Sequence, residues 1–293
     1  MSKNYNIMMF VFEDDRKLQS SFFHDLNGLL QKTNKIPITI IYHSTDFFGS
    51  QLIHIDQDSY TAQKIKDIPI NYKMFKKEME DLYNTYYIKG RKNIFYYGGH
   101  SNCIFEDYKF GLKTNIFEKM TGLELIILDS CYTAYTNLLS TIIGKTNYVL
   151  ASSTASPYLG FLSNNFLDIL NTPGEESTAK YREIIDLFIK RNSATTKKGK
   201  KLTYRTDGVL IDMRKYVAVH DHLQTRQPEK NKKCKLENVP YYYYYDLACL
   251  APDDKKLKEL INKCILYMKM NSLAKEFYAK NNITITGLII GIK

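Results

Sequence analysis

The sequence predicts an α/β protein: a mostly parallel central sheet with helices on both faces and a C-terminal extension. Three observations carry this. Short apolar runs rich in Ile, Phe, Tyr and Val recur without strict alternation, which is how strands covered on both faces read. Amphipathic helical patterns lie between them, as in parallel-sheet proteins. The composition is ordinary for a globular chain, 293 residues with 44% hydrophobic and 25% charged, and a chain of that length can bury most of its apolar surface without disulfides.

In chain order, strands are expected at Ile7–Phe12, Ile36–Tyr42, Asn93–Tyr97, Leu123–Leu128 and Asn147–Ala151. A helix is expected over Leu18–Gln31. A clearer one covers Asn71–Lys89, where Tyr72, Phe75, Met79, Leu82 and Tyr86 share one face. Gly90 follows, where a helix C-terminus favours glycine. Thr133–Ile143 reads as a third helix ahead of Gly144, and Glu175–Arg191 as a fourth. Ser193–Thr203 reads as an exposed loop, Val209–Tyr216 as a short strand and turn, and Tyr241–Tyr245 as a tyrosine-rich strand. Asp253 or Asp254 can cap a helix whose apolar face is Leu257, Leu260, Ile261, Cys264 and Met268. Ile283–Ile292 reads as a final strand interrupted by Gly287. No internal repeat is present.

The net charge of +10 is concentrated. Lys190–Lys235 holds fourteen Lys/Arg against four Asp/Glu, which leaves twenty-seven of each elsewhere. Two runs dominate, Lys197–Lys201 and Lys230–Lys235. Such runs can contact phosphates, although solvated loops are their commoner form and no nucleic-acid module accompanies them. Five cysteines in no CxxC spacing argue against a disulfide framework or structural zinc and suit a reducing compartment. No apolar run approaches the roughly 18–20 residues that span a bilayer, and the N-terminal apolar run is too short for a secretory signal. An intracellular protein without a membrane segment is expected.

Ligands of open α/β sheets bind beyond the carboxyl ends of the strands. Gly98-Gly99-His100-Ser101-Asn102 follows one predicted strand, Asp129-Ser130-Cys131 the next, and Ser152–Ser156 the one after. Parallel strands would set His100, Cys131 and the serine segment along one rim, the layout that thiol catalysis needs. At a helix start, Cys131 would meet unpaired N–H groups that favour thiolate. His100 could protonate a leaving amine. Backbone N–H groups near the two could bind an oxyanion.

At these residues the sequence resembles the clostripain family of caspase-like cysteine peptidases. The resemblance runs through Asn6–Asp15, Tyr96-Tyr97-Gly98-Gly99-His100, Ile126–Cys131, Tyr148–Ser153 with Pro157 and Gly160, Asp207–Asp212 and Tyr245-Asp246-Leu247. It implies a caspase-like α/β/α sandwich, with residues 1–192 forming the core and catalytic rim and residues 193–293 adding a basic loop, strands and a helix that complete the same fold. It implies a cysteine endopeptidase with Cys131 as nucleophile and His100 as general acid. The N–H groups of Ser101 and Cys131 would form the oxyanion site, and Ser101, Ser152 and Ser153 would line the substrate groove. Asp129, otherwise readable as a helix cap, matches the floor of the first specificity pocket and would select Arg or Lys in a protein or peptide substrate. The family places glycine directly after the histidine; here the glycines precede it and Ser101 follows. That departure supports a rival reading, a catalytically inactive relative acting as a binding or regulatory module. A basic nucleic-acid-binding protein is a third.

An enzyme cutting after basic residues could also cut its own Lys197–Lys201 segment. No cofactor or metal is expected, and calcium dependence is left open. His220-Asp221-His222 could pair on one face of a strand but lacks a third ligand. His24, His43 and His54 read as structural. Cys103 is a rival nucleophile ranked below Cys131.

Overall fold

The computed structural model describes residues 4–13, 16–30, 36–44, 49–56, 59–65, 72–100, 115–154, 160–193, 205–225, 235–239, 242–283 and 285–292. In chain order these contain β1 (Tyr5–Glu13), α1 (Arg16–Leu30), β2 (Ile38–Ser44), β3 (Gln51–Asp56), β4 (Ser59–Lys64), α2 (Tyr72–Tyr86), β5 (Lys92–Gly99), β6 (Leu123–Asp129), α3 (Thr136–Ile142) and β7 (Thr146–Ala151). There follow α4 (Phe166–Asn171), α5 (Ser177–Arg191), β8 (Asp207–Asp212), α6 (Met213–Thr225), β9 (Lys235–Val239), β10 (Tyr242–Asp246), α7 (Leu247–Leu250), α8 (Lys255–Cys264), β11 (Ile265–Met270), α9 (Ser272–Lys280) and β12 (Ile289–Ile292).

A nine-stranded sheet runs β11-β8-β7-β6-β5-β1-β2-β3-β4. Its middle five strands, β7 to β2, are parallel, and antiparallel pairs extend both edges. Alternation along β1 shows why its sequence is continuously apolar. Ile7, Met9 and Val11 join one core with Phe22 and Leu26 of α1 and Ile184 and Phe188 of α5. Met8, Phe10 and Phe12 join the opposite core with Phe75, Met79 and Leu82 of α2, Leu138 of α3 and Tyr216 of α6. Both faces are therefore dry, and the α/β expectation of a mostly parallel sheet clothed by helices on both sides holds. Strand order reverses between β1 and β5, since the chain moves one way to β2 and the other way to β5, β6 and β7. The tips of β1, β5 and β6 thus flank the crevice where such sheets bind ligands.

Residues beyond 193 contribute β8 and β11 to one edge of the sheet and a separate antiparallel sheet, β12-β10-β9. The latter docks on α3 through a bridge between Tyr135 and Ile289. Asp254 is the cap of α8, its carboxylate accepting from the Leu257 N–H at 2.9 Å. No described helix is long and apolar enough to cross a membrane.

Several expectations need correction. His220, Asp221 and His222 lie in α6, not in a strand. Residues two apart on a helix point away from each other, and His222 instead bonds Asp254 at 2.8 Å. Among the described residues no cluster fit for a metal ion occurs. The predicted helix through Met268 ends at Cys264, and Ile265–Met270 becomes the edge strand β11. Cys249 is disulfide-bonded, so the thiols are not all reduced. The Lys197–Lys201 run, residues 230–234 of the second basic run, Ser101 and Cys103 all lie outside the described residues. His43 is structural: it is buried and holds Ser50 at 2.6 Å and Glu78 at 2.7 Å.

Candidate active site

The β5–β6 register sets the site. Gly98 pairs with Asp129 in parallel, and His100 and Cys131 each follow two residues later. Neighbouring strands lie about 4.8 Å apart, so the two residues leave adjacent strand tips at the same height. Both are half-buried. The tips are tied together, because the Ser130 hydroxyl donates to the Gly99 carbonyl at 2.6 Å. The Tyr97 hydroxyl donates to the His100 carbonyl at 2.7 Å. Gly99 has φ +144, and a Cβ there would collide with the Phe12 carbonyl oxygen. Only glycine lets β5 close on β1 at this point.

Cys131 does not begin a helix. It sits in a turn, and α3 starts five residues later. No helix dipole therefore favours its thiolate, and Asp129 caps no helix. The turn is held from the β7 side: Tyr132 N–H donates to Thr154 O and Ala134 N–H to Ser152 O, both at 2.9 Å. Cys264, the other described thiol outside a disulfide, is buried, and burial pushes it up to about 12.

Asp129 ends β6 beside this turn. One carboxylate oxygen accepts the Tyr96 hydroxyl and the Phe161 N–H, the latter at 2.9 Å. Gly160 lies against it so closely that a Cβ there would overlap the carboxylate. Burial pushes the carboxyl up to about 6, against the pull of those two donors. Behind the Gly160–Leu162 segment, Arg191 donates through Nη1 to the carbonyls of Gly160 and Leu162 and through Nη2 to both carboxylate oxygens of the buried Asp25, at 2.7 and 2.9 Å.

Ser152 and Ser153 do not line a groove. Both are fully buried. Their hydroxyls turn inward to Asp207, Ser152 at 2.7 Å. Asp207 also receives the Ser153 N–H at 2.8 Å, the Thr154 N–H at 3.2 Å and the Thr154 hydroxyl at 3.1 Å. Burial raises its carboxyl above the ordinary aspartate value, while these donors pull the other way. Asp207, Tyr96 and Arg191 were not singled out in the sequence as site residues. Their partners lie 29 to 166 positions away, and only an aspartate opening the apolar run Val209-Leu210-Ile211 could have hinted at one of them.

No family model matches the chain, and no curated protein does. Solved structures do resemble it. An inactive zymogen of a C11 protease from Parabacteroides distasonis aligns over 98% of this chain and 92% of its own, with TM-score 0.73 and 12% identity. A secreted C11 cysteine protease from Bacteroides thetaiotaomicron aligns over 98% and 93%, with TM-score 0.70 and 12% identity. A secreted C11 protease of that organism, in complex with an irreversible peptide inhibitor, aligns over 92% and 85%, with TM-score 0.67 and 13% identity. The chain thus has the caspase-like fold of the clostripain-family (C11) cysteine proteases.

Proposed function

We propose that the protein is a cysteine endopeptidase that cleaves after Arg or Lys. The parallel Gly98–Asp129 register carries the reading, because it brings an imidazole and a half-buried thiol to one rim at one height. The Cys131 thiolate attacks the scissile carbonyl, and N–H groups of Ser101 and Cys131 receive the oxyanion. His100 protonates the leaving amine, and water then hydrolyses the thioester. Asp129 attracts the basic side chain ahead of the bond.

The test is turnover of short fluorogenic peptides carrying Arg, Lys or neutral residues before the bond, with and without an alkylating agent. Turnover that follows Arg and Lys and stops on alkylation is expected. Absence of both turnover and Cys131 labelling would remove the proposal. It would favour the second reading, an inactive relative that binds rather than cuts. One observation favours that alternative: Gly160 and Phe161 close over the Asp129 carboxylate, so a basic side chain needs the Gly160–Leu162 segment to shift. Salt-sensitive binding to generic DNA or RNA in the same preparation would point to the third.

A carboxyl titrating at about 6 makes the preference pH-dependent. The ratio of kcat/KM for basic over neutral peptides should rise between pH 5 and 7, and Asp129→Asn should flatten it and cost the preference roughly tenfold to a hundredfold. Stability carries the opposite sign. Between an unfolded value of ~3.9 and about 6 the folded chain binds the proton more tightly. The protonated carboxyl's contribution is complete below ~3.9 and is lost as pH rises through about 6. Asp129→Asn should therefore raise Tm at pH 7.5 and leave it unchanged near pH 4. A lower Tm at pH 7.5 would contradict a carboxylate held buried at a cost to stability.

A further inference from the structure

We infer that Tyr244, in the C-terminal sheet, is a positioning residue for Cys131: its ring holds Tyr132 in the left-handed conformation that aims the preceding thiol. The inference rests on Cys131 being the reactive thiol.

Tyr132 has φ +54. Among the described residues only Asn282 shares a positive φ without being glycine, and asparagine tolerates that region whereas tyrosine does not. Such strain persists only where surroundings over-determine it, and here they do. The Tyr132 ring stacks on Tyr244 with centroids 4.4 Å apart and planes 11° from parallel. Tyr135, from the far end of the same turn, meets Tyr244 edge-on at 6.4 Å and 89°. Tyr244 is 2% exposed, so neither contact is a loose surface encounter.

The backbone secures both ends of the turn. Tyr132 N–H is held by Thr154 O, and Ala134 O accepts the Ile289 N–H at 3.0 Å. Ile289 begins β12, which pairs with β10 and sets Tyr244 opposite Gly291. One small sheet thus grips the turn by a stacked ring near its start and a backbone bond near its end. With Thr133–Tyr135 anchored, relaxing φ at Tyr132 swings Cys131 away from the β5 tip. Tyr244 acts on Cys131 through Tyr132.

The experiment measures the rate of Cys131 alkylation by iodoacetamide across pH, mapped by mass spectrometry on the full chain, beside peptide turnover. Wild-type Cys131 should react faster at pH 7 than the thiol of a free cysteine peptide. Tyr244→Leu should slow the reaction at pH 7 about tenfold, the scale of one unsupported left-handed residue, and should lower kcat more than it raises KM. Tyr244→Phe keeps the stack and should stay within about twofold. Tyr132→Ala and Tyr132→Gly lose the same ring, but only alanine bears the Cβ cost, so alanine should react several-fold more slowly. That pair tests the idea even if Tyr244→Leu does not fold. Fast wild-type labelling with Tyr244→Leu unchanged, or equal rates for the Tyr132 pair, would overturn the inference alone. Wild-type labelling no faster than a free cysteine peptide would overturn the peptidase reading and this inference with it.

Discussion

Cys131→Ala is expected to abolish peptide hydrolysis, a fall on the order of 10⁴-fold or more, with Tm unchanged. The size follows from loss of the covalent step, since binding and oxyanion contacts alone sustain only a small residue of catalysis. No described thiol can stand in for it. Cys264 is buried with its thiol pushed up to about 12, and Cys249 is committed to a disulfide. Stability should hold because the side chain is small and half-buried. His100→Ala should fall less, by roughly 10²–10⁴, because it removes proton transfer and leaves the nucleophile. The two variants should not add, since both act in one step. Steady-state kinetics on an Arg or Lys peptide, with thermal melts of each variant, measures all of this. Hydrolysis persisting in Cys131→Ala would move the nucleophile elsewhere in the chain.

What the sequence reveals and what it conceals divide along physical lines. The five central strands are readable because both faces of each are buried, which leaves continuous runs such as Ile7–Phe12 and Leu123–Leu128. Helix α2 is readable because its single apolar stripe keeps the helical period. The edges are harder. Every residue of β4 is exposed, so it carries no apolar signal, and the hairpin of β3 and β4 goes unpredicted. Strand β11 is masked because Met268 falls in phase with Leu257, Ile261 and Cys264. The rim divides the same way. Glycine, histidine and cysteine just after the strands are local features and can be read, whereas the turn that stands in place of the expected helix start at Cys131 cannot. The inward turn of Ser152 and Ser153 depends on a carboxylate more than fifty positions later, and no local pattern reports it. The positive φ at Tyr132 depends on a ring from another sheet.

That distant carboxylate supports the second large expectation. Asp207→Ala should destabilise the fold by about 3–5 kcal/mol, because it leaves buried donors without an acceptor. The Ser152 hydroxyl, the Ser153 hydroxyl and N–H, and the Thr154 N–H and hydroxyl all converge on it, and no water can replace an acceptor there without entering a fully buried site. The damage should not stop at stability. Ser152 O and Thr154 O are the acceptors that anchor Ala134 and Tyr132, so loosening the β7 tip loosens the turn bearing Cys131. Asp207→Asn separates the two effects. It keeps one carbonyl acceptor for the bonds to the backbone but points an N–H₂ at hydroxyls, which can rotate to accept, so it should cost about 1–2 kcal/mol. Denaturant melts give the stability order wild type, Asn, Ala, and the Cys131 alkylation rate should fall in that same order under conditions where each variant is folded. An Asp207→Ala protein as stable as wild type would show that the cluster is not the anchor of the β7 tip. Equal alkylation rates across a confirmed stability loss would show that the tip does not govern the thiol.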